Sequence, residues 1–141
     1  MFIKQLSIFV ENKHGRIENI ISSFADNDIN IRALSIADTT DFGVLRVIVD
    51  DVDKAKSVLR EIGIISKTTD VLAIYIDDKT GGLAEVLKDV SAAGVSVEYM
   101  YAFLSKTQGK ALMVLKADDE EGAEIVLRQH GIAIAEPDDI K

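Results

Sequence analysis

The chain has 141 residues, 48% of them apolar, with nine glycines and one proline, which is enough for real cores and gives no sign of disorder, yet suits either one ordinary domain or two small ones. The absence of cysteine excludes disulfides and thiolate metal sites, and a net charge of −8 with Lys and Arg scattered singly argues against nucleic acid as a partner. No apolar run approaches the roughly 20 residues of a membrane helix, and the start lacks a basic segment followed by an apolar core, so a cytoplasmic protein with no membrane partner is expected.

Phe2 to Val10 reads as a strand, with Leu6, Ile8 and Val10 alternating against Gln5, Ser7 and Phe9. A turn at Asn12-Lys13-His14-Gly15-Arg16-Ile17 follows. Ile17, Ile20, Ile21 and Phe24 then fall at helical spacing, and Asp26-Asn27-Asp28 ends that helix. Ile29 to Ala37 is a second strand, with Ile29, Ile31 and Ala33 on one face. Asp38-Thr39-Thr40-Asp41 makes a hairpin, and Gly43 to Val49 is a third strand. Asp50-Asp51 caps a helix whose stripe is Val52, Ala55, Val58, Leu59 and Ile62, and which Gly63 stops. A short strand, Ile64 to Lys67, closes a β-α-β-β-α-β order.

The order then recurs. Val71 to Asp77 is a strand, and Asp78-Lys79-Thr80-Gly81-Gly82-Leu83 is the turn. Leu83, Val86, Leu87 and Val90 mark a helix ended by Gly94. Val95 to Leu104 is a strand, Ser105 to Gln108 a turn, and Gly109 to Lys116 a strand. Asp118-Asp119-Glu120-Glu121 opens a helix with Ala123, Val126 and Leu127, ended by Gly131. Ile132 to Ala135 is the last strand, and Pro137 to Lys141 a loose tail. An offset of 66 carries Gly15 to Gly81, Gly43 to Gly109 and Lys13 to Lys79, while an offset of 68 carries Gly63 to Gly131. Keeping these glycines and every stripe in phase points to duplication.

The expected fold is α+β. It has two ferredoxin-like βαββαβ units, residues 1–69 and 70–141, each a four-stranded antiparallel sheet with two helices on one face. A unit of that size buries a marginal core alone, which favours intimate pairing of the two.

Two such units, each with a polar-x-x-Gly-x-Leu/Ile turn between first strand and first helix, resemble a tandem ACT-domain protein over roughly Phe2 to Glu136. The resemblance implies a stand-alone regulatory pair that binds a small ligand, most often a free amino acid, where the first turn of one unit meets the second strand of another. The site it implies comprises Asn12, Lys13, His14, Gly15, Arg16 and Ile17, with Asp78, Lys79, Thr80, Gly81, Gly82 and Leu83. Asn30, Ile31, Ser96 and Val97 would complete it from the facing unit. The commonest family pattern has a proline before the glycine; His14 and Thr80 stand there instead.

The residues themselves allow plainer readings. Gly15 and Gly81 suit a tight turn whether or not a ligand approaches. A ligand-binding reading expects Gly81→Val to abolish binding and leave the fold intact. Asp78 suits an α-ammonium or a turn-stabilising role. Arg16 is a carboxylate clamp or a helix-start surface charge, His14 a solvated turn residue, and His130 a helix C-terminal residue facing the dipole. Val97, Tyr99, Tyr101 and Phe103 share a strand face suited to core, dimer interface or pocket wall. Phe9 and Tyr75 place an aromatic on the other face of each first strand, where a partner sheet or second copy would cover it. The acidic run at residues 118–121 lacks a calcium-loop pattern and reads as a helix-start cluster. No nucleophile stands with a base, so no catalytic residue, no metal and no cofactor is expected. Two functions remain: a non-catalytic amino-acid sensor, as a homodimer, or a regulatory subunit that acts mainly by binding a metabolic enzyme.

Overall fold

The computed structural model describes residues 2–11, 13–38, 42–104 and 109–141. The predicted hairpin tips at residues 39–41 and 105–108, and Asn12 of the first turn, lie outside the described residues. The order is β1 (Ile3–Glu11), α1 (Arg16–Asp26), β2 (Ile31–Asp38), β3 (Phe42–Val49), α2 (Val52–Glu61), β4 (Ser66–Asp77), α3 (Gly82–Ala92), β5 (Val97–Ala102), β6 (Lys110–Ala117) and α4 (Glu120–Gln129), then a short 3₁₀ turn (Pro137–Ile140). The fold is α+β, with antiparallel strands and successive βαββαβ units. Two compact units divide the chain between Thr69 and Asp70, with Ile3 counted in the second.

In the first unit β3 lies between β2 and β1, both antiparallel to it, with Leu6 opposite Val47 and Leu34 also opposite Val47. The alternation of β1 turns Leu6, Ile8 and Val10 toward α1 and α2, whose Ile20, Phe24, Ala55, Val58 and Leu59 fill the core. The chain leaving α2 returns along β1, and the Phe9 N–H donates to the Ile65 carbonyl at 3.0 Å. The second unit repeats this plan. There β6 lies between β5 and β4, and Leu72, Ile74 and Ile76 meet Val86, Val90, Ala123 and Leu127. After α4, the Tyr75 N–H donates to the Ala133 carbonyl at 2.9 Å and the Ala135 N–H to the Ala73 carbonyl at 2.8 Å.

Four expectations change. The predicted strands Ile64–Lys67 and Val71–Asp77 are one 12-residue strand, Ser66–Asp77, because no glycine or proline interrupts a run rich in β-branched residues. The last strand is reduced to a bridge between Ile74 and Ile134, and three residues on Pro137 opens the 3₁₀ turn. The tail is not loose: Ile140 is buried and the Asp139 carboxylate accepts the Glu136 N–H at 2.8 Å. Finally, Ile31 and Ala33 do not share a face. A bulge falls between them, so Ile31 and Leu34 reach the helix-side core while Ala33 is buried on the opposite side. The second unit has the same bulge between Val97 and Tyr99, which puts Val97 and Met100 in its core. Tyr99 and Tyr101 turn to the other face together, stacked with ring centroids 6.4 Å apart.

The paired aspartates divide their labour identically in both units. Asp51 caps α2 by accepting the Lys54 N–H at 3.1 Å, and Asp119 caps α4 by accepting the Gly122 N–H at 3.0 Å. The acidic run at 118–121 is therefore the helix start that the sequence suggests. Replacing Asp51 with alanine is expected to cost about 1 kcal/mol of stability, read from a denaturant midpoint, whereas Asp53→Ala on the exposed side of α2 should stay within about 0.5 kcal/mol.

Candidate functional site

Both first turns fold by one hydrogen-bond pattern. In the first unit, Lys13 N–H donates to the Glu11 carbonyl at 2.8 Å, Arg16 N–H to Lys13 at 3.3 Å and Asn19 N–H to Gly15 at 3.0 Å. In the second, Lys79 N–H donates to Asp77 at 2.9 Å, Gly82 N–H to Lys79 at 3.1 Å and Glu85 N–H to Gly81 at 3.0 Å. Gly15 and Gly81 are the N-cap residues of α1 and α3, with φ of 80° and 84°. Neither helix has a side-chain cap, whereas α2 and α4 are each capped by an aspartate. The N–H groups of the first turns of α1 and α3 therefore carry the positive end of a helix dipole with no carboxylate among the described residues bonded to it. Ile17 and Leu83, which follow these glycines, are 36% and 41% exposed although both fall on apolar stripes.

The left-handed φ changes what a substitution at these glycines tests. A Cβ at Gly15 or Gly81 would meet nothing within 4 Å, so the penalty is conformational. The expectation that Gly81→Val leaves the fold intact is thus corrected: a β-branched residue at this φ is strained whatever the space. Gly81→Ala is expected to cost about 1–2 kcal/mol. Gly81→Asn should lose less in the same thermal melt, because asparagine tolerates the left-handed region.

Asn30 and Ser96 have backbone roles. The Asn30 N–H donates to Asp50 Oδ1 at 3.0 Å, and the Asp50 N–H returns to the Asn30 carbonyl at 3.1 Å. Ser96 and Asp118 make the same exchange, both bonds at 3.0 Å. These pairs pin the start of the second strand to the end of the third. Ile31 and Val97 follow on the core side and are partly buried. Within one unit these residues are not brought to the turn: the 11 residues of α1 or α3 stand between, about 16 Å of helix.

Charges surround both turns. Lys13 Nζ lies 2.9 Å from Glu11 Oε2, and Arg16 Nη2 is at 4.0 Å from the same oxygen. The hydrogen bond and charge of Lys13, with a smaller contribution from Arg16, hold the Glu11 carboxyl below its ordinary range. In the second unit Lys110 is bonded to Asp77 and lowers its pKa, and Lys79 lies 4.0 Å from Asp77 and 3.9 Å from Glu85. His14, Thr80 and Asp78 are exposed. His130 is the C-cap of α4, as expected of a residue at the dipole's negative end, and its Nδ1 also lies 3.5 Å from Asp89 Oδ2. Glu120 behaves oppositely to Glu11 and Asp77. Burial raises its pKa despite the Ala117 N–H it accepts at 2.8 Å and Lys116 at 3.4 Å. The signs follow by linkage. Stability from Glu11 and Asp77 is present above the ordinary carboxylate range and is lost as pH falls through it. Glu120 binds its proton more tightly folded than unfolded, so its contribution is lost as pH rises from that range through its raised value. Glu120→Gln is expected to flatten the upper part of a stability-against-pH curve and leave the acid limb in place.

Sequence reasoning missed a groove beside each turn. In the first unit Phe9, Glu11, Arg16, Phe42 and Ile62–Ile65 enclose about 200 Å³. In the second, Tyr75, Asp77, Gly82, Asp89, Lys110 and His130–Ala133 enclose about 250 Å³. The repeat offsets place Phe9 on Tyr75, Ile62 on His130 and Ile65 on Ala133, a correspondence that could have drawn attention to both. Among the described residues no group of three or more His, Asp or Glu could hold a metal, and no helix is long and apolar enough to cross a membrane.

The family described as "ACT domain pair" matches residues 1–141. Protein BT0572 from Bacteroides thetaiotaomicron is similar along 99% of this chain and 96% of its own, with 38% identity and a TM-score of 0.92. The ligand-free regulatory subunit of aspartate kinase from Thermus thermophilus shares the fold at 14% identity, with 89% of each chain covered and a TM-score of 0.65. The corresponding subunit from Thermus flavus does so at 14% identity, with 92% of each chain covered and a TM-score of 0.58. No curated protein matches the sequence.

Proposed function

This chain belongs to the ACT domain pair family, and from that premise we propose that it is a non-catalytic regulatory protein that binds a free amino acid. Residues 1–69 and 70–141 are taken as its two ACT units. The ligand carboxylate would accept hydrogen bonds from the first-turn N–H groups of α1 or α3, beside Lys13-His14-Gly15-Arg16-Ile17 or Lys79-Thr80-Gly81-Gly82-Leu83. Asp78 is the candidate for its ammonium group, and Asn12 is the residue that the sequence repeat sets in register with it. The observation that carries this reading is the contrast in N-terminal capping: α2 and α4 begin on aspartate, while α1 and α3 begin on left-handed glycine with no side-chain cap. A shielded carboxylate at such a terminus gains about 0.3–2 kcal/mol, and with a side-chain pocket the sum can reach the roughly −8 kcal/mol of a micromolar complex.

Asn30, Ile31, Ser96 and Val97 enter this reading only from a facing unit, since α1 and α3 separate them from the turn of their own. A homodimer in the cytoplasm is the form we propose. A thermal-shift screen of the amino acids tests the function: a ligand at 100 times its Kd stabilises by about 2.7 kcal/mol. No shift with any amino acid would reject it. The second reading, a subunit that acts mainly by binding a metabolic enzyme, draws support from the fold shared with the Thermus aspartate kinase regulatory subunits. A stoichiometric enzyme captured by the tagged chain, with no amino-acid response, would favour that alternative.

A further inference from the structure

The two repeats carry the same groove in different chemistry. In the first unit Phe9, Phe42, Ile62 and Ile65 are 44%, 57%, 39% and 73% exposed, an unusual concentration of large apolar side chains around one concavity. In the second, tyrosine, histidine and alanine replace Phe9, Ile62 and Ile65. Polar pairs line that groove instead, the Asp77–Lys110 ion pair and the contact of His130 with Asp89. The apolar groove, at about 200 Å³, has room for a single amino-acid side chain. Its rim bears Arg16, 41% exposed and 4.0 Å from Glu11, whose carboxylate Lys13 already engages at 2.9 Å. A planar guanidinium held this loosely can take a second carboxylate bidentately.

We propose that this groove binds a small apolar carboxylate, an aliphatic or aromatic amino acid or its 2-oxo acid, with the side chain against Phe9, Phe42, Ile62 and Ile65 and the carboxylate on Arg16. The proposal rests on the amino-acid reading above and deepens it: it names the ligand class and places the ligand side chain in the groove beside the first glycine turn, with Arg16 common to both. The polar lining of the second groove excludes the same ligand there.

The test is a titration of the full chain, isotope-labelled at isoleucine methyls, with L-leucine, 4-methyl-2-oxopentanoate and 4-methylpentanoate, with L-aspartate and L-lysine as polar controls. Saturable shifts of the Ile62 and Ile65 methyls with the apolar probes are expected. Ile65→Glu, at an exposed position, and Arg16→Gln, at a partly exposed one, should each weaken binding at least tenfold while the melting curve stays put. The first two probes separate amino acid from oxo acid; the third asks whether the α-substituent matters. Absence of methyl shifts, or undiminished affinity in Ile65→Glu, would overturn the proposal. A polar amino acid that binds at the glycine turns without moving these methyls would overturn the groove and leave the family-based function standing.

Discussion

Phe24→Ala is expected to lower the stability of the first unit by about 3–5 kcal/mol, the usual range for removing a fully buried phenylalanine. Phe24 is 0% exposed and packs with Ile20 from α1 onto Leu6, Ile8 and Leu45. It stands near the end of the helix that begins at Gly15, so its removal loosens the element that positions the turn. For a unit of this size the loss corresponds to a fall of more than about 10 °C in melting temperature. Ile17→Ala is the matched control. Ile17 lies on the same predicted stripe but is 36% exposed, and its truncation should cost less than about 1 kcal/mol for so exposed a side chain. Equal losses from the two variants would contradict the placement of α1.

Gly82→Ala is expected to cost the second unit about 1–3 kcal/mol, the range of overpacking. A Cβ there would sit 2.3 Å from the Asp77 carbonyl oxygen. The obstacle is backbone, so α3 and the end of β4 must part before alanine fits. Alanine's better helix propensity offsets a fraction of this, at most about 1 kcal/mol. The equivalent residue of the first unit is Arg16, and Arg16→Ala should be neutral within about 0.5 kcal/mol, as for a partly exposed surface position. A chemical-denaturation midpoint for each variant decides it. A neutral Gly82→Ala would mean that the two turns are interchangeable, against the closer approach in the second.

The repeat explains why so much of the fold was legible. Strand alternation in β1 and β4 and the stripes of α1 to α4 are local periodicities, and each occurs twice in phase. Asp51 and Asp119 could be read as caps because capping needs only the residue type and the helix that follows. The bulges at Arg32 and Glu98 could not be read, since a bulge depends on what the partner strand offers opposite, and its effect is to reverse every side chain beyond it. That is why Ala33 fell on the wrong face. The merging of two predicted strands into β4 has a similar origin: pairing along both edges decides where a strand ends, and the sequence between Ser66 and Asp77 contains no breaker. At the candidate site the glycine turns were visible in the sequence, as were Lys13 and Lys79. Phe42, Ile62, Ile65 and Lys110 were not, because they come from distant segments and meet Phe9 or Asp77 only when the chain has folded.

The most direct test of the central claim is an amide-resolved NMR titration of the whole chain with each amino acid. The account predicts that at least one binds saturably and that the largest shifts fall on the N–H groups of Ile17 and Glu18, or of Leu83 and Ala84, in the uncapped first turns of α1 and α3. Binding by none, or saturable binding that leaves those four amides unmoved, would contradict it.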